Sequence, residues 1–233
     1  MNTIIPEKSV CSTYRNELFH FFAGKGTPMV FKKKTIIEFG GKPADHVYLI
    51  KKGVVQQYFL DHSGDTKILL LLTKGDLFGE ITLFQRDKDL VLTQAHSDVE
   101  VNKLPADLFL DLAEKNPKIY FYISLMLSNK ARIFMAQVQD SSFCDTIYKL
   151  KNLLIRLSYQ HGADVPGGTR IIPRFTHDDL ARMISSTRST VSKKMKILED
   201  DGFIEVSNHH IIVKDKLKLM TNPAQSISGS YLP

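Results

Sequence analysis

Over residues 30–104 the chain runs in short stretches rich in β-branched, aromatic and leucine residues, each closed by turn formers. VFKKKTIIEF ends at Gly40-Gly41, HVYLI at Lys52-Gly53, VVQQYFL at Asp61-His62-Ser63-Gly64-Asp65, and KILLLLT at Gly75-Asp76. Apolar and polar positions alternate through Val47 and Leu49, and again through Val55, Gln57 and Phe59, which is the period of a strand with two unlike faces. Glycines recur at 53, 64 and 75, one strand plus one turn apart, where reversal calls for positive φ. The pattern predicts an antiparallel β domain closed into a small barrel or roll. The unbroken apolar run 69–72 predicts a strand buried on both faces.

After Pro105 the period lengthens to about 3.6. Asn116-Pro117 reads as a helix start, and nothing breaks the pattern until beyond Val138, so a long helix is predicted over 116–139. It carries two apolar seams. One is Ile119, Ile123, Met126, Lys130, Ile133 and Gln137; the other is Tyr120, Ser124, Leu127, Ala131, Phe134 and Val138. One seam is expected to cover the β domain and the other to meet a second copy of the chain, and the sequence leaves open which does which. A further helix is predicted over 145–159, then a loop at Gly162, Pro166, Gly167 and Gly168. Short strands are expected over 169–173, 203–206 and 211–214, the last two pairing around Ser207-Asn208-His209-His210, and a polar tail over 221–233.

The most informative stretch is FTHDDLARMISSTRSTVSKKMKILEDDGFI, residues 175–204. Thr176 opens a T-x-x-D start with Asp179, Ser185-Ser186-Thr187 interrupts the helix, and Ser186 or Thr187 caps a second one reaching Asp200. Leu180 and Ile184 share a face of the first helix, Val191, Met195 and Leu198 a face of the second, and Ala181 is small enough for the two to cross closely. This is a helix-turn-helix. Left outside are Arg188, Ser189, Ser192 and Lys193, on one face at the start of the second helix, where such motifs read base edges. Arg188 suits a bidentate pair to guanine; Lys193, Lys194 and Lys196 suit phosphates, with the Thr176 and Thr190 hydroxyls beside them.

Composition narrows the class. The 233 residues, 43% hydrophobic and 24% charged, fit one large or two ordinary folded domains and argue against a disordered or collagen-like chain. No apolar run approaches the ~18–20 residues of a membrane span, and no basic start and apolar core of a secretory signal is present, so a cytoplasmic protein without a membrane partner is expected. The net charge of +6 is concentrated over 185–198, where Arg188, Lys193, Lys194 and Lys196 stand without an acidic residue. Cys11 and Cys144 are too few and too far apart for a disulfide framework or a metal knuckle, and read as free thiols.

These residues resemble the Crp/Fnr family of bacterial transcription regulators. The likeness covers about residues 25–217 and rests on four features: Gly41, Asp45, Tyr48-Leu49-Ile50 and Gly53; GDLFGEITLF over 75–84; the long helix after Asn116-Pro117; and the helix-turn-helix ending LEDDGFI over 198–204. It implies an α+β chain: an N-terminal antiparallel β-roll of the cyclic-nucleotide-binding kind (1–115) that senses an effector, a long dimerisation helix (116–139), a C-terminal winged helix-turn-helix (140–220) and a flexible tail (221–233). The implied partners are a second copy of the chain, double-stranded DNA carrying an inverted repeat, and RNA polymerase, which family members commonly touch as activators while some repress.

Departures from the family pattern bear on the effector. Where cyclic-nucleotide binders carry the Arg and Ser or Thr that hold the phosphate, this chain has Leu90 and Val91; where they offer a Thr-Ser pair to the adenine, it has Phe134 and Met135. Cyclic AMP is not expected, since its phosphate would lose charge-assisted bonds of roughly 1.5–3 kcal/mol each. An iron–sulfur cluster is not expected from two cysteines. The sequence requires no cofactor. Leu90, Val91, Phe134 and Met135 point to a drier site beside Gly79 and Glu80, and Lys130, inside a seam, is costly to bury alone. Two readings of Lys130 stand: it anchors an organic anion, aromatic acids included, as in the halorespiration regulators the pattern is similar to, or it snorkels to solvent or pairs with a nearby carboxylate. In the recognition helix the family's frequent Glu is Ser189, so its usual half-site does not carry over, and Ser185 stands where a turn glycine is common.

Two alternatives compete. A haem-dependent gas or redox sensor of the same family would use one of the scattered histidines as axial ligand. A cupin-like enzyme would need an H-x-H, which His46, His62 and His96 do not form, and no nucleophile elbow, Walker loop or G-x-G-x-x-G is present. The sequence therefore reads as a non-enzymatic DNA-binding regulator.

Overall fold

The computed structural model describes residues 8–41, 45–88 and 90–214, with side chains from residue 11 onward. The tail expected at 221–233 lies outside them. The chain divides into two compact units, Ser9–Ala131 and one formed mainly by Arg132–Pro233.

The first unit opens with α1 (Lys8–Phe22), then β1 (Thr27–Phe31), β2 (Ile36–Glu38), β3 (His46–Lys52), β4 (Val55–Leu60), β5 (Thr66–Leu72), β6 (Leu77–Phe78), α2 (Glu80–Gln85), β7 (Leu92–Ala95), β8 (Val99–Pro105), α3 (Ala106–Lys115) and the start of α4 (Lys118–Phe143). Two four-stranded antiparallel sheets form the roll, ordered β1-β8-β3-β6 and β2-β7-β4-β5. Val47, Leu49, Leu77 and Leu104 of the first sheet are buried with Cys11, Tyr14, Leu18 and Phe22 of α1, Phe109 and Ala113 of α3, and Ile119, Ile123 and Met126 of α4. Successive strand residues point to opposite faces, so Tyr48 and Ile50, also buried, face away from that cluster. β3 is thus covered on both sides. In β5 Ile68 and residues 70–72 are buried, as the leucine run predicts, although Leu69 is only half-buried.

The sequence reading assigned no element to α1. Its buried residues recur at 11, 14, 18 and 22, which is one helical stripe. Below that stripe lies a polar anchor. Asp76, 1% exposed, accepts hydrogen bonds from Tyr14 Oη (3.0 Å), Arg15 Nε (3.0 Å) and the Thr73 backbone N–H (2.8 Å), while Arg15 Nη2 lies 2.9 Å from its second oxygen. Asn129 of α4 donates to Tyr14 Oη at 3.2 Å, and the Cys11 thiol donates to Asn129 Oδ1 at 3.5 Å. Two helices distant in sequence are therefore tied to the turn before β6. The turn itself needs Gly75, whose φ is +88° and where a Cβ would stand 2.4 Å from the Arg15 carbonyl oxygen.

The second unit contains the rest of α4, then α5 (Thr146–His161), β9 (Gly162–Val165), β10 (Gly168–Ile171), α6 (His177–Ile184), α7 (Arg188–Asp200), β11 (Ile204–Ser207) and β12 (His210–Val213). Its sheet runs β11-β12-β10-β9. The loop expected around 162–168 is the hairpin joining β9 to β10, so its glycines and proline mark a strand reversal rather than a break in structure. Asp140, near the end of α4, is buried and accepts from Arg156 Nη1 and Asn152 Nδ2 of α5, each at 2.6 Å.

Burial alone would raise the Asp76 carboxyl, but the Arg15 charge, with hydrogen bonds from Arg15 and Thr73, outweighs it and holds the carboxyl below the ordinary range. A carboxyl depressed in the folded state contributes stability above its unfolded value of about 3.9 and loses it as pH falls through the folded value. Asp76→Asn should cost about 3–5 kcal/mol at neutral pH by leaving Arg15 buried against a neutral group. In urea titrations between about pH 5 and pH 2 the variant should lose less stability on acidification than the parent. Equal acid sensitivity of the two would refute this role for Asp76.

Candidate functional site

α6 begins because Thr176 and Asp179 cap each other: Asp179 N–H donates to Thr176 Oγ1 (3.1 Å) and Thr176 N–H to Asp179 Oδ2 (2.8 Å). The Thr176 hydroxyl also donates to Asp179 Oδ2 at 2.7 Å. Its donor and an acceptor site are thus used inside the cap, and the phosphate contact expected of Thr176 would cost that bond. α6 ends at Ser185, which adopts the left-handed conformation (φ 53°, ψ 58°) usually left to glycine. The turn keeps the helix-turn-helix geometry with a serine in it.

α7 is capped by Thr187, one of the two candidates, whose Oγ1 accepts from the Thr190 N–H at 3.2 Å. Leu180, Ala181 and Ile184 of α6 and Val191, Met195 and Leu198 of α7 are all buried, so the apolar faces join the pair as the spacing predicts. Arg188, Ser189, Ser192, Lys193 and Lys196 are exposed and lie at i, i+1, i+4, i+5 and i+8, one face; Thr190 and Lys194 are half-buried at its edge. Among the described residues none of the four cations Arg188, Lys193, Lys194 and Lys196 makes an ion pair. Thr187 donates to Thr190 Oγ1 (2.8 Å), which leaves the Thr190 hydroxyl hydrogen for another acceptor. A cationic face with hydroxyls, at the N-terminal end of an exposed helix, fits anionic backbone and base edges. Beside it β11 and β12 form the wing, turning through Asn208 (φ 50°) and His209 (φ 62°), a two-residue turn of the kind that matches strand twist.

The second group lies in the roll. Lys130 is 3% exposed and Glu80 1%; Lys130 Nζ stands 2.6 Å from Glu80 Oε1 and donates to the Leu77 carbonyl at 3.0 Å. Lys130 does not snorkel to solvent; it pairs with a nearby carboxylate. Glu80 is placed by Gly79, whose φ is +91° and where a Cβ would meet the His46 carbonyl oxygen at 2.6 Å. Of the four apolar positions named for a drier site, Leu90 is 81% exposed, Met135 is exposed, and Val91 and Phe134 are half-buried, while the buried group on α4 is the Lys130–Glu80 ion pair. Gln57 and Thr93, a buried polar pair at 3.2 Å on facing strands, and Asn129 were missed by sequence reasoning. Gln57 carried a signal, a polar residue at an apolar position of an alternating strand. No group of three or more His, Cys, Asp or Glu among the described residues is placed to hold a metal ion, and both cysteines are unbridged. No described helix is long and apolar enough to cross a membrane.

Residues 28–116 match the cyclic nucleotide-binding domain family, and residues 148–221 match the Crp-like helix-turn-helix domain family. The chain is 30% identical over 183 residues to the cAMP-activated global transcriptional regulator CRP of Pasteurella multocida, covering 78% of this chain and 86% of that protein. Among solved structures, a CooA mutant from Carboxydothermus hydrogenoformans superposes with TM-score 0.70 at 22% identity over 82% of this chain and 85% of that one. FixK2 from Bradyrhizobium japonicum does so with TM-score 0.72 at 17% identity, over 89% and 100%. Both structural likenesses are likenesses of fold. The sequence matches are to transcription regulators, not enzymes.

Proposed function

The chain belongs to the Crp/Fnr family of transcription regulators, and from that premise we propose that it acts in the cytoplasm as a homodimer reading an inverted repeat. In this reading the roll (1–115) senses, the long helix (116–139) dimerises, and residues 140–220 bind DNA and bring the protein to RNA polymerase. The observation that carries it is the unpaired face of α7. Arg188, Ser189 and Ser192 meet base edges there, while Lys193 on the same face, with Lys194, Lys196 and Thr190, meets phosphates; Thr176 serves first as a cap.

The dimer is supported by a stripe along α4. Phe121, Ser124, Ser128, Ala131, Met135 and Val138, stepping by three and four, are all exposed. This is the period of a coiled-coil seam, and its small residues let two helices approach closely. It is neither seam as first drawn, sharing Ser124, Ala131 and Val138 with the second.

The effector reading centres on Gly79, Glu80 and Lys130, with Val91, Phe134 and Leu90 as the apolar positions the sequence adds. It is not cyclic AMP in this proposal, although that is the activator named for the Pasteurella relative. The positions that would clamp its phosphate are exposed Leu90 and half-buried Val91. An organic anion, aromatic ones included, fits better if its carboxylate takes Lys130 from Glu80.

Selection from random duplexes at roughly 0.15 M salt should enrich an inverted repeat with half-sites about one helical turn apart. Arg188→Ala should then relax preference at one base pair by about 1–3 kcal/mol, whereas Lys194→Ala should weaken all sequences alike and reduce the salt slope by about 1. Preference left intact in Arg188→Ala would sink the assignment of the reading face, and an unchanged transcript yield from the selected site with purified polymerase would remove the regulatory role.

Ala131→Glu places like charges opposite each other across the two-fold axis, and should convert a dimer to a monomer in sedimentation while leaving the circular dichroism spectrum unchanged. A variant that stays dimeric puts the interface elsewhere.

A panel of aromatic carboxylates should change DNA affinity in the parent, cyclic AMP should not, and Lys130→Met should abolish the response while retaining basal binding. A Lys130→Met protein that responds like the parent would move the effector away from Glu80.

A further inference from the structure

The start of α7 gathers three hydroxyls, those of Thr187, Ser189 and Thr190, whose hydrogens can be accounted for in full. Thr187 Oγ1 donates to Thr190 Oγ1 at 2.8 Å, accepts from the Thr190 backbone N–H at 3.2 Å, and lies 3.0 Å from Ser189 Oγ. A hydroxyl has one hydrogen to give and two lone pairs to accept with. The Thr187 hydrogen is spent on Thr190, so in the third contact Ser189 is the donor. Thr187 is then complete, with both lone pairs filled and its hydrogen used. Ser189 has turned its hydrogen inward, and among the described residues its side chain makes no other hydrogen bond. Exposed on the reading face, it shows that face lone pairs alone.

Its neighbours have the opposite character. Arg188, Lys193 and Lys196 only donate, the remaining hydrogen of Thr190 is a donor too, and residues 185–198 contain no acidic side chain. Phosphate oxygens accept, so an oriented acceptor gains nothing from the DNA backbone. In the major groove the donors are the exocyclic amines, N6 of adenine and N4 of cytosine. Guanine shows N7 and O6 there, and thymine shows O4 and a methyl group.

We infer that Thr187 is a positioning residue for base recognition: it fixes Ser189 as a hydrogen-bond acceptor, and Ser189 thereby reads the exocyclic amine of an adenine or a cytosine. The inference rests on the DNA-binding reading of α7 and adds to it the chemical class of one base. Thr187 acts through the direction of a neighbouring hydroxyl and touches no DNA itself. Ser189 could donate to guanine O6 or thymine O4 only by giving up its bond to Thr187, and that loss sets the preference. Because an acceptor has no use for phosphate, Ser189 adds to specific binding without adding to nonspecific binding.

The test is selection from random duplexes with the parent, Ser189→Ala, Thr187→Gly and Thr187→Ser, followed by affinity measurements on the parent's selected site. The position whose preference disappears in Ser189→Ala should carry adenine or cytosine in the parent's site, favoured over guanine and thymine by roughly 3- to 10-fold, the worth of one neutral hydrogen bond. Placing purine for that adenine, or 2-pyrimidinone for that cytosine, deletes only the amine; the parent should lose the same factor and Ser189→Ala should lose nothing. Glycine is tolerated at a helix N-cap, so Thr187→Gly should fold, free the Ser189 hydrogen and relax that one position while the position read by Arg188 stays intact. Thr187→Ser should match the parent. Guanine or thymine at the Ser189-dependent position, no position that depends on Ser189, or full preference in Thr187→Gly overturns the inference. Thermal melts check each variant's fold, and the amine-deletion arm, which needs no change at Thr187, decides for Ser189 if Thr187→Gly unfolds. A parent that enriches no repeat overturns the reading of α7 itself.

Discussion

Two carboxylates four positions apart, Asp76 and Glu80, bracket a strand of only two residues, Leu77–Phe78, and both are buried. Each is met by a cation from a different helix: Asp76 by Arg15 of α1, Glu80 by Lys130 of α4. Neither pair is a cheap source of stability, because desolvating each ion costs several kcal/mol that Coulomb attraction only about returns. What the pairs do is remove alternatives. Slipping α1 or α4 along the roll would strand a charge in an apolar cluster, at a cost well above that of misplacing a leucine. The apolar residues of the first sheet fix how much area α1, α3 and α4 cover; the two ion pairs fix where along the sheet α1 and α4 sit.

This explains what could be read in advance. Capping and turn chemistry are local, so Thr176 with Asp179, Thr187, and the apolar residues between them located the helix-turn-helix within a residue or so. The wing was legible for the same reason. Pairing across fifty residues is not local, and nothing in the spacing of Lys130 names Glu80 as its partner. α1 was passed over because Cys11 was weighed as a thiol rather than as the first of four apolar positions in a helical stripe. On α4 the exposed stripe falls one residue away from the expected seam at Phe121, Ser128 and Met135, because an α-helix of 3.6 residues per turn drifts against a 3.5-residue repeat and sequence alone does not fix its rotation.

The same pairs define what the proposed effector would have to do. Lys130 in its resting arrangement has its charge met by Glu80 and a hydrogen bond accepted by the Leu77 carbonyl. An anion that binds there does not find a vacant cation; it must replace a carboxylate that is already desolvated and correctly placed. Affinity then comes from the rest of the ligand, from apolar surface and hydrogen bonds that Glu80 does not make. Such a ligand shifts the equilibrium only by the difference between its contacts and those of the pair it breaks. Because Lys130 and Asn129 are adjacent on α4, and Asn129 is bonded to Tyr14 and thereby linked to Asp76, disturbing one buried charge reaches the other without passing through solvent.

On the DNA side the division of labour is different. In the proposed reading the α7 face separates groups that discriminate, Arg188 above all, from lysines that attract any duplex, and selectivity depends on keeping the second kind from dominating. Every added phosphate contact raises specific and nonspecific binding together.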